Sequence, residues 1–232
     1  VATAYFDVDG TLVGTNLLHP AIAMLSRDAT PFRSARRLGG AILQAPRLAA
    51  AELRDRRRFN ELLFQHYRGL SEDRIVELSR ELFDEVVRPK IFAGTIELID
   101  ACKRAGLRVV LITGSLEETV EPLRAHLGAD GLIANRLEFH DGIATGKLRP
   151  PVVAGPVKAR LIADDAREVG HDLSACQAYS DSFSDVPMLS VVGHPFCVHP
   201  DGKLRNTAQA YHWPILDLTR PSPGESRETH AP

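Results

Sequence analysis

The chain has 232 residues, 44% apolar and 25% charged, the balance of an ordinary globular protein that can bury a core without disulfide or metal staples. Its formal net charge of −2 argues against general nucleic-acid binding. The three distant cysteines, Cys102, Cys176 and Cys197, form no CxxC pair and read as reduced thiols of a cytoplasmic protein, and no run is long or apolar enough to span a membrane or serve as a secretory signal.

In chain order, residues 2–8 predict a short buried strand, and the start at Val1 rather than Met suits a domain trimmed from a longer protein. From about 17 to 90 the pattern turns helical, most clearly in RDRRRFNELLFQHYRGL and SEDRIVELSRELFDEVVRP. Ser71, followed by Glu72 and Asp73, makes a helix N-terminus, and Pro89 is expected to end that helix. GTIELIDACKRAG predicts a helix closed by Gly106, LRVVLIT a strand, and LEETVEPLRAHLG a helix ending at Gly128. The stretch 130–148 predicts a strand and then a hairpin turning at Asp141-Gly142. GPVKARLIADDAREVG predicts a helix with Pro156 in its first turn, while CQAYS and HPFCVHP predict two more strands. Residues 219–232, polar and rich in proline, predict a disordered tail. The alternation of helix and strand predicts an α/β fold: a doubly wound, Rossmann-like parallel sheet built from 1–14 and 92–218, with an α-helical cap inserted at 15–91. In such sheets ligands bind beyond the carboxyl ends of the strands, so an insert there would cover the site.

Four clusters fall at predicted strand ends or a helix start: Asp7-Val8-Asp9-Gly10-Thr11, Thr113-Gly114-Ser115, Lys158, and Asp181-Ser182-Phe183-Ser184-Asp185. Singly each has an ordinary alternative as a turn, a cap or a surface charge. Brought to one sheet edge, they would supply four carboxylates, one ammonium, small hydroxyls and a glycine amide. Hard carboxylate oxygens select Mg²⁺, which keeps waters and takes a substrate phosphate oxygen. An ammonium with hydroxyls and amides suits a phosphoryl group. The residues therefore point to Mg²⁺-dependent phosphoryl transfer.

With these motifs in order, the sequence resembles the haloacid dehalogenase superfamily phosphatases, and within them the phosphoserine-phosphatase-like subfamily IB with its C1-type helical cap. DVDGT matches the first motif, LITGS the second, Lys158 in GPVK the third and YSDSFSDVPML the fourth, so the likeness spans about residues 2–215. The resemblance implies that Asp7 is the nucleophile, forming an aspartyl phosphate, and that Asp9 protonates the leaving alkoxide and then activates water. It implies Mg²⁺ held by the Asp7 side chain, the Asp9 carbonyl and Asp181. Thr113, the Gly114 amide and Lys158 would hold the phosphoryl oxygens, Asp185 would support Lys158, and Thr11 would orient the loop. Family members that displace chloride lack the second acid, so Asp9 favours phosphoester hydrolysis. The alternatives are a phosphotransferase or mutase that passes the phosphoryl group to another hydroxyl, and a non-catalytic phospho-ligand-binding module.

Two features depart from the pattern. Phosphoserine phosphatases place a glutamate nine residues after the nucleophile, where it pairs with the substrate ammonium; here that position is Asn16, which disfavours phosphoserine and leaves sugar, alcohol or lipid-type phosphates. Their fourth motif carries an Asn where this chain has Ser184. The predicted cap is also locally basic, with nine arginines and three acids between 27 and 58, beside the apolar stretch LGGAILQAPRLAAAEL. This reads either as an amphipathic helix with solvated arginines or as a surface for an anionic substrate or peripheral membrane contact. Asn16, Arg54 and Arg58, from the cap side, are the candidate substrate contacts. The nine histidines show no metal-ligand spacing, and His194 and His199 read as structural.

Overall fold

β1 (Thr3–Phe6) is short, buried along its whole length and central. Ala4 and Phe6 face one core layer and Tyr5 the other, as a strand covered on both faces requires. In the computed structural model, which describes residues 1–15, 21, 24, 27, 46–48, 51 and 54–219, β1 sits within a seven-stranded sheet. The other strands are β2 (Arg108–Leu116), β3 (Gly131–His140), β4 (Ile143–Arg149), β5 (Gln177–Ser180), β6 (His194–Val198) and β7 (Ile215–Leu216), in the order β4-β3-β2-β1-β5-β6-β7. Every pairing is parallel except β3 with β4. The chain leaves β1 toward β2 on one side and returns to β5 on the other. The carboxyl ends of β1, β2 and β5 therefore finish side by side, the crevice where such sheets bind ligands.

Between β1 and β2 lies a helical insert. α1 (Arg56–Phe64) begins where the Asp55 carboxylate accepts from the amides of Arg57 and Arg58 at 3.0 and 3.2 Å. α2 (Glu72–Leu82) begins at Ser71, whose hydroxyl accepts from the Arg74 amide at 3.3 Å. The helix expected to run to Pro89 ends earlier: beyond Leu82 the winding widens to a π-turn at Phe83–Val87, then tightens to a 3₁₀ turn at Arg88–Lys90 that holds Pro89. The insert buries Met24, Leu48, Phe59, Leu63, Tyr67, Ile75 and Leu78 in one cluster with Leu116, Leu137 and Ala144 of β2, β3 and β4. Backbone bonds stitch the contact: Gly69 N donates to Ala144 O, and Ala144 N to Leu70 O, both at 2.8 Å. Gly146 shows why β4 can approach so closely. Its φ is +80°, and a Cβ there would lie 2.9 Å from the Gln65 carbonyl.

Helices cover both faces of the sheet. α3 (Thr95–Arg104) and α4 (Glu117–Leu127) bury Ile99, Cys102, Val120 and Leu123 against Ala4, Phe6 and Leu111. α5 (Pro156–Glu168), α6 (Val186–Ser190) and α7 (Gly202–Tyr211) bury Ile162, Met188, Leu189 and Leu204 against Tyr5, Val110 and Ala178. The stretch expected to hold a strand and then a hairpin uses one strand for both: β3 pairs with β2 as far as Asn135 and with β4 from Arg136 onward. Asp141 and Gly142 turn that hairpin with φ of +50° and +73°. α6, α7 and β7 are additions to the predicted elements. All three cysteines are free and buried, and no helix among the described residues is long and apolar enough to cross a membrane. The predicted tail, beyond Thr219, and Asn16 lie outside the described residues.

Candidate active site

The two acids of DVDGT reach one cavity because the chain folds back after β1. Asp7 N donates to Tyr179 O at 2.9 Å as the last sheet-like bond. The amides of Thr11, Leu12 and Val13 then converge on the Val8 carbonyl at 3.2, 2.9 and 3.2 Å, and Gly10 N donates to Val13 O at 2.8 Å. In this tight loop the alternation of a strand no longer applies, and Asp7 and Asp9 both line the cavity. Gly10 has φ +83°, and a Cβ there would collide with the Asp181 carboxylate, so the loop and the fourth motif are in close contact.

Lys158, in the first turns of α5, is 5% exposed. Its Nζ donates to Asp7 Oδ1 at 2.6 Å and to Asp185 Oδ2 at 2.7 Å. Ser180 Oγ donates to the same Asp185 oxygen at 2.9 Å. Thr11 Oγ1 lies 3.3 Å from Asp7 Oδ2 and 3.2 Å from Asp181 Oδ1. Burial opposes the charge on Lys158, but Asp185 and Asp7 more than offset it and hold the ammonium well above the usual lysine range. Burial also pushes the Asp7 carboxyl up to about 7; Lys158 opposes this, while Asp185 and Asp181 add to it. Asp181 is raised to about 6, by burial and then by Asp185. Asp7 and Lys158 thus depart from a simple ion pair, in which both charges would be favoured. The reason is that two buried carboxylates, Asp7 and Asp185, share one ammonium while the half-buried Asp181 lies close by, which leaves negative charge over.

That surplus fits a hard divalent cation. Among the described residues no three acid, histidine or cysteine side chains form a ligand group. The candidate set is leaner: the Asp7 and Asp181 carboxylates with the Asp9 carbonyl. Such a set suits Mg²⁺, which retains water and binds through one or two carboxylates plus substrate oxygens.

Asp9 is held from two sides. Ser115 Oγ donates to its Oδ2 at 3.0 Å and Thr15 Oγ1 to its Oδ1 at 3.2 Å. Burial raises its pKa against the pull of these bonds, as a proton donor needs. Thr113, 1% exposed, accepts from Ser115 N at 3.0 Å, which leaves its own hydroxyl proton for another acceptor. Thr113 and Gly114 line the cavity with Lys158, Asp181, Ser184 and Asp185. The structure thus brings together all four sequence clusters.

As bounded by the described residues, the cavity measures about 160 Å³. The insert closes it with one face of α1: Arg56, Phe59 and Asn60. The cap-side residues expected from sequence are placed differently. Arg54 and Arg58 are exposed and outside the cavity wall: a step of two residues along α1 turns Arg58 away from Arg56, and Arg54 precedes the extended residue Asp55 that starts the helix. Arg27 pairs instead with Glu81 and Glu85, and Arg57 with Glu61, so acids beyond the counted window offset part of the local basic excess. Asn60, 2% exposed, donates through Nδ2 to Val153 O at 3.3 Å, while its Oδ1 has no partner among the described residues. Sequence reasoning passed over Asn60 and Asn135; for Asn135 the signal was a lone amide within the strand sequence LIANRL. His199 sits outside the cavity wall, with Nε2 accepting from Leu218 N at 3.1 Å and its ring against Phe92.

The haloacid dehalogenase-like hydrolase family model matches residues 4–190. A putative hydrolase of Mycobacterium leprae is 36% identical over 220 residues, covering 94% of this chain and 73% of that protein. Phosphoserine phosphatase SerB1 of Mycobacterium tuberculosis is 35% identical over 220 residues, covering 94% and 71%. A solved structure of a Bordetella pertussis Tohama I protein of unknown function superposes with a TM-score of 0.79 at 25% identity, covering 94% of this chain and 98% of that one. The family match runs from β1 through α6 and takes in every cluster that meets at the cavity, so this chain belongs to the haloacid dehalogenase-like hydrolases, as a phosphatase of the phosphoserine-phosphatase-like type.

Proposed function

We propose that this phosphatase hydrolyses a small organic phosphomonoester with Mg²⁺ through an aspartyl phosphate on Asp7, in the cytoplasm. The observation that carries the reading is the division of labour between the two acids. Asp7 is bonded by Lys158 at 2.6 Å on the phosphoryl-binding side, while Asp9 is held apart by Ser115 and Thr15 and has a raised pKa. In the first step an Asp7 carboxylate oxygen bonds to phosphorus, the phosphorus–ester oxygen bond breaks, and Asp9 gives its proton to the leaving oxygen. In the second, water attacks the same phosphorus, Asp9 takes a proton from that water, and phosphate leaves with Asp7 restored. Thr113, the Gly114 amide and Lys158 hold the phosphoryl oxygens as charge shifts, and Asp185 keeps Lys158 aimed. Mg²⁺, held by Asp7, Asp181 and the Asp9 carbonyl, would neutralise phosphoryl charge.

The strand-end side of the cavity takes the phosphoryl group, and its wall on the α1 side is left for the carbon portion. Arg56 favours an anionic group on that portion. The named activity of SerB1 is on phosphoserine; Asn16 here lacks the charge to pair with an ammonium, which supports other small phosphates.

The test is release of inorganic phosphate from an aryl phosphate, with and without Mg²⁺, by the wild type and Asp7→Asn. Mg²⁺-dependent turnover lost in the variant supports the reading, whereas equal rates in both proteins overturn it. A phosphorylated alcohol in place of free phosphate would point to a transferase. Rapid turnover would remove the reading as a binding module. A screen of sugar phosphates, phosphoamino acids and lysophosphatidate then sorts the substrate class.

A further inference from the structure

The Thr113–Gly114–Ser115 segment of β2 falls out of register with β3. In the β2–β3 ladder Ile112 pairs with Ile133 and Leu116 with Asn135, so four steps along β2 match two along β3. The surplus residues bulge toward the cavity, and their backbone groups need partners from elsewhere. Asn135, fully buried and outside the cavity wall, supplies them. Its Nδ2 donates to the Gly114 carbonyl at 2.7 Å. Its Oδ1 accepts from Val153 N at 2.8 Å, and Nδ2 also lies 3.4 Å from Val153 O. Turning the amide over would set like groups against each other at both ends, so its orientation is determined.

The geometry points to Asn135 as a positioning residue for the phosphoryl transfer read above, on which this inference rests: it sets the Thr113–Gly114–Ser115 turn from behind. The Gly114–Ser115 peptide is held at its carbonyl by Asn135 and at its amide by Thr113 Oγ1, at 3.0 Å. That second bond directs the Thr113 hydroxyl proton toward the phosphoryl site. The same turn places Ser115 Oγ 3.0 Å from Asp9. Through Val153, Asn135 also anchors the opposite wall, where Val153, Ala154 and Gly155 lead into the helix carrying Lys158. Asn60 of the insert donates to the Val153 carbonyl as well, so the helix above is tied to the same point.

The test is Asn135→Asp, which keeps the size and the acceptor for Val153 N but sets an oxygen against the Gly114 carbonyl. With an aryl phosphate and Mg²⁺, kcat is expected to fall about 10- to 100-fold with KM within about threefold. Orthovanadate, which mimics the five-coordinate phosphorus, is expected to inhibit more weakly by a similar factor. A fall in kcat with the vanadate inhibition constant unmoved would mean fewer folded molecules rather than a misplaced turn, and would overturn the assignment. So would unchanged kinetics. If circular dichroism shows Asn135→Asp unfolded, Asn135→Ser is put through the same two measurements. A wild type without turnover would instead overturn the hydrolytic reading and this inference with it.

Discussion

The strand ends and the insert build opposite sides of one cavity by different means. At the strand ends nearly every chemical group is fixed by short bonds and by backbone. Lys158 spans Asp7 and Asp185 at 2.6 and 2.7 Å, Asp9 is bonded on both oxygens, and Gly10 permits an approach no other residue could make. The insert offers one helix face, Arg56, Phe59 and Asn60, and among the described residues the Asn60 Oδ1 has no partner. The difference teaches where rigidity is needed. Groups that meet developing charge are preorganised, whereas groups that choose the substrate keep bonding capacity for it.

The sharpest break in that comparison is Asp7→Asn, expected to cut aryl phosphate turnover by at least roughly 10⁴-fold. Asp9→Asn comes next. It is expected to slow an alkyl phosphate by about 10²–10⁴-fold and an aryl phosphate less, because phenolate leaves with less need of a proton. Equal losses on both substrates would remove Asp9 from proton transfer. Arg56→Ala probes the other side: KM for the best substrate of the metabolite screen should rise by about 10-fold or more, with kcat for the aryl phosphate within about twofold. A comparable fall in kcat would place the insert in the chemistry and erase the distinction.

The smallest effect concerns pH. The Asp7 carboxyl is raised in the folded protein from 3.8 to about 7, by burial first. The fold therefore retains this proton at pH values where the unfolded chain has released it. The stability that the group adds is complete below 3.8 and is lost as pH rises through about 7. Thermal melts of metal-free protein across that window should show a decline that saturating Mg²⁺ reduces and that Asp7→Asn removes in part. A melting temperature that rises with pH by the same measure in the wild type and Asp7→Asn would show that Asp7 carries no such charge strain.

Much of the fold was legible because its signals are local. The alternation of apolar runs announced the sheet, and Asp141-Gly142 announced its turn, since two successive positive φ angles favour that pair. α7 was legible in principle, because Asp201 caps it by accepting from Leu204 N at 2.8 Å. The shared use of β3 by two partners was not, since pairing depends on neighbours far along the chain. Within the arginine run, composition could not separate Arg56 from Arg54 and Arg58; the phase of α1 against the cavity separates Arg58, and the extended Asp55 separates Arg54.

By itself, then, the sequence determined the order of elements and the chemical inventory: four acids, a lysine and the TGS turn, each at a strand end or helix start. Those follow from residue type and spacing, which act over a few residues. That Asp7 and Asp185 share one ammonium, that Asn135 stands behind the Gly114 turn, and that Arg56 faces the cavity became visible in the folded chain alone. These depend on distances between segments that are remote in sequence, and on burial, which turns ordinary side chains into a charged site in need of a cation.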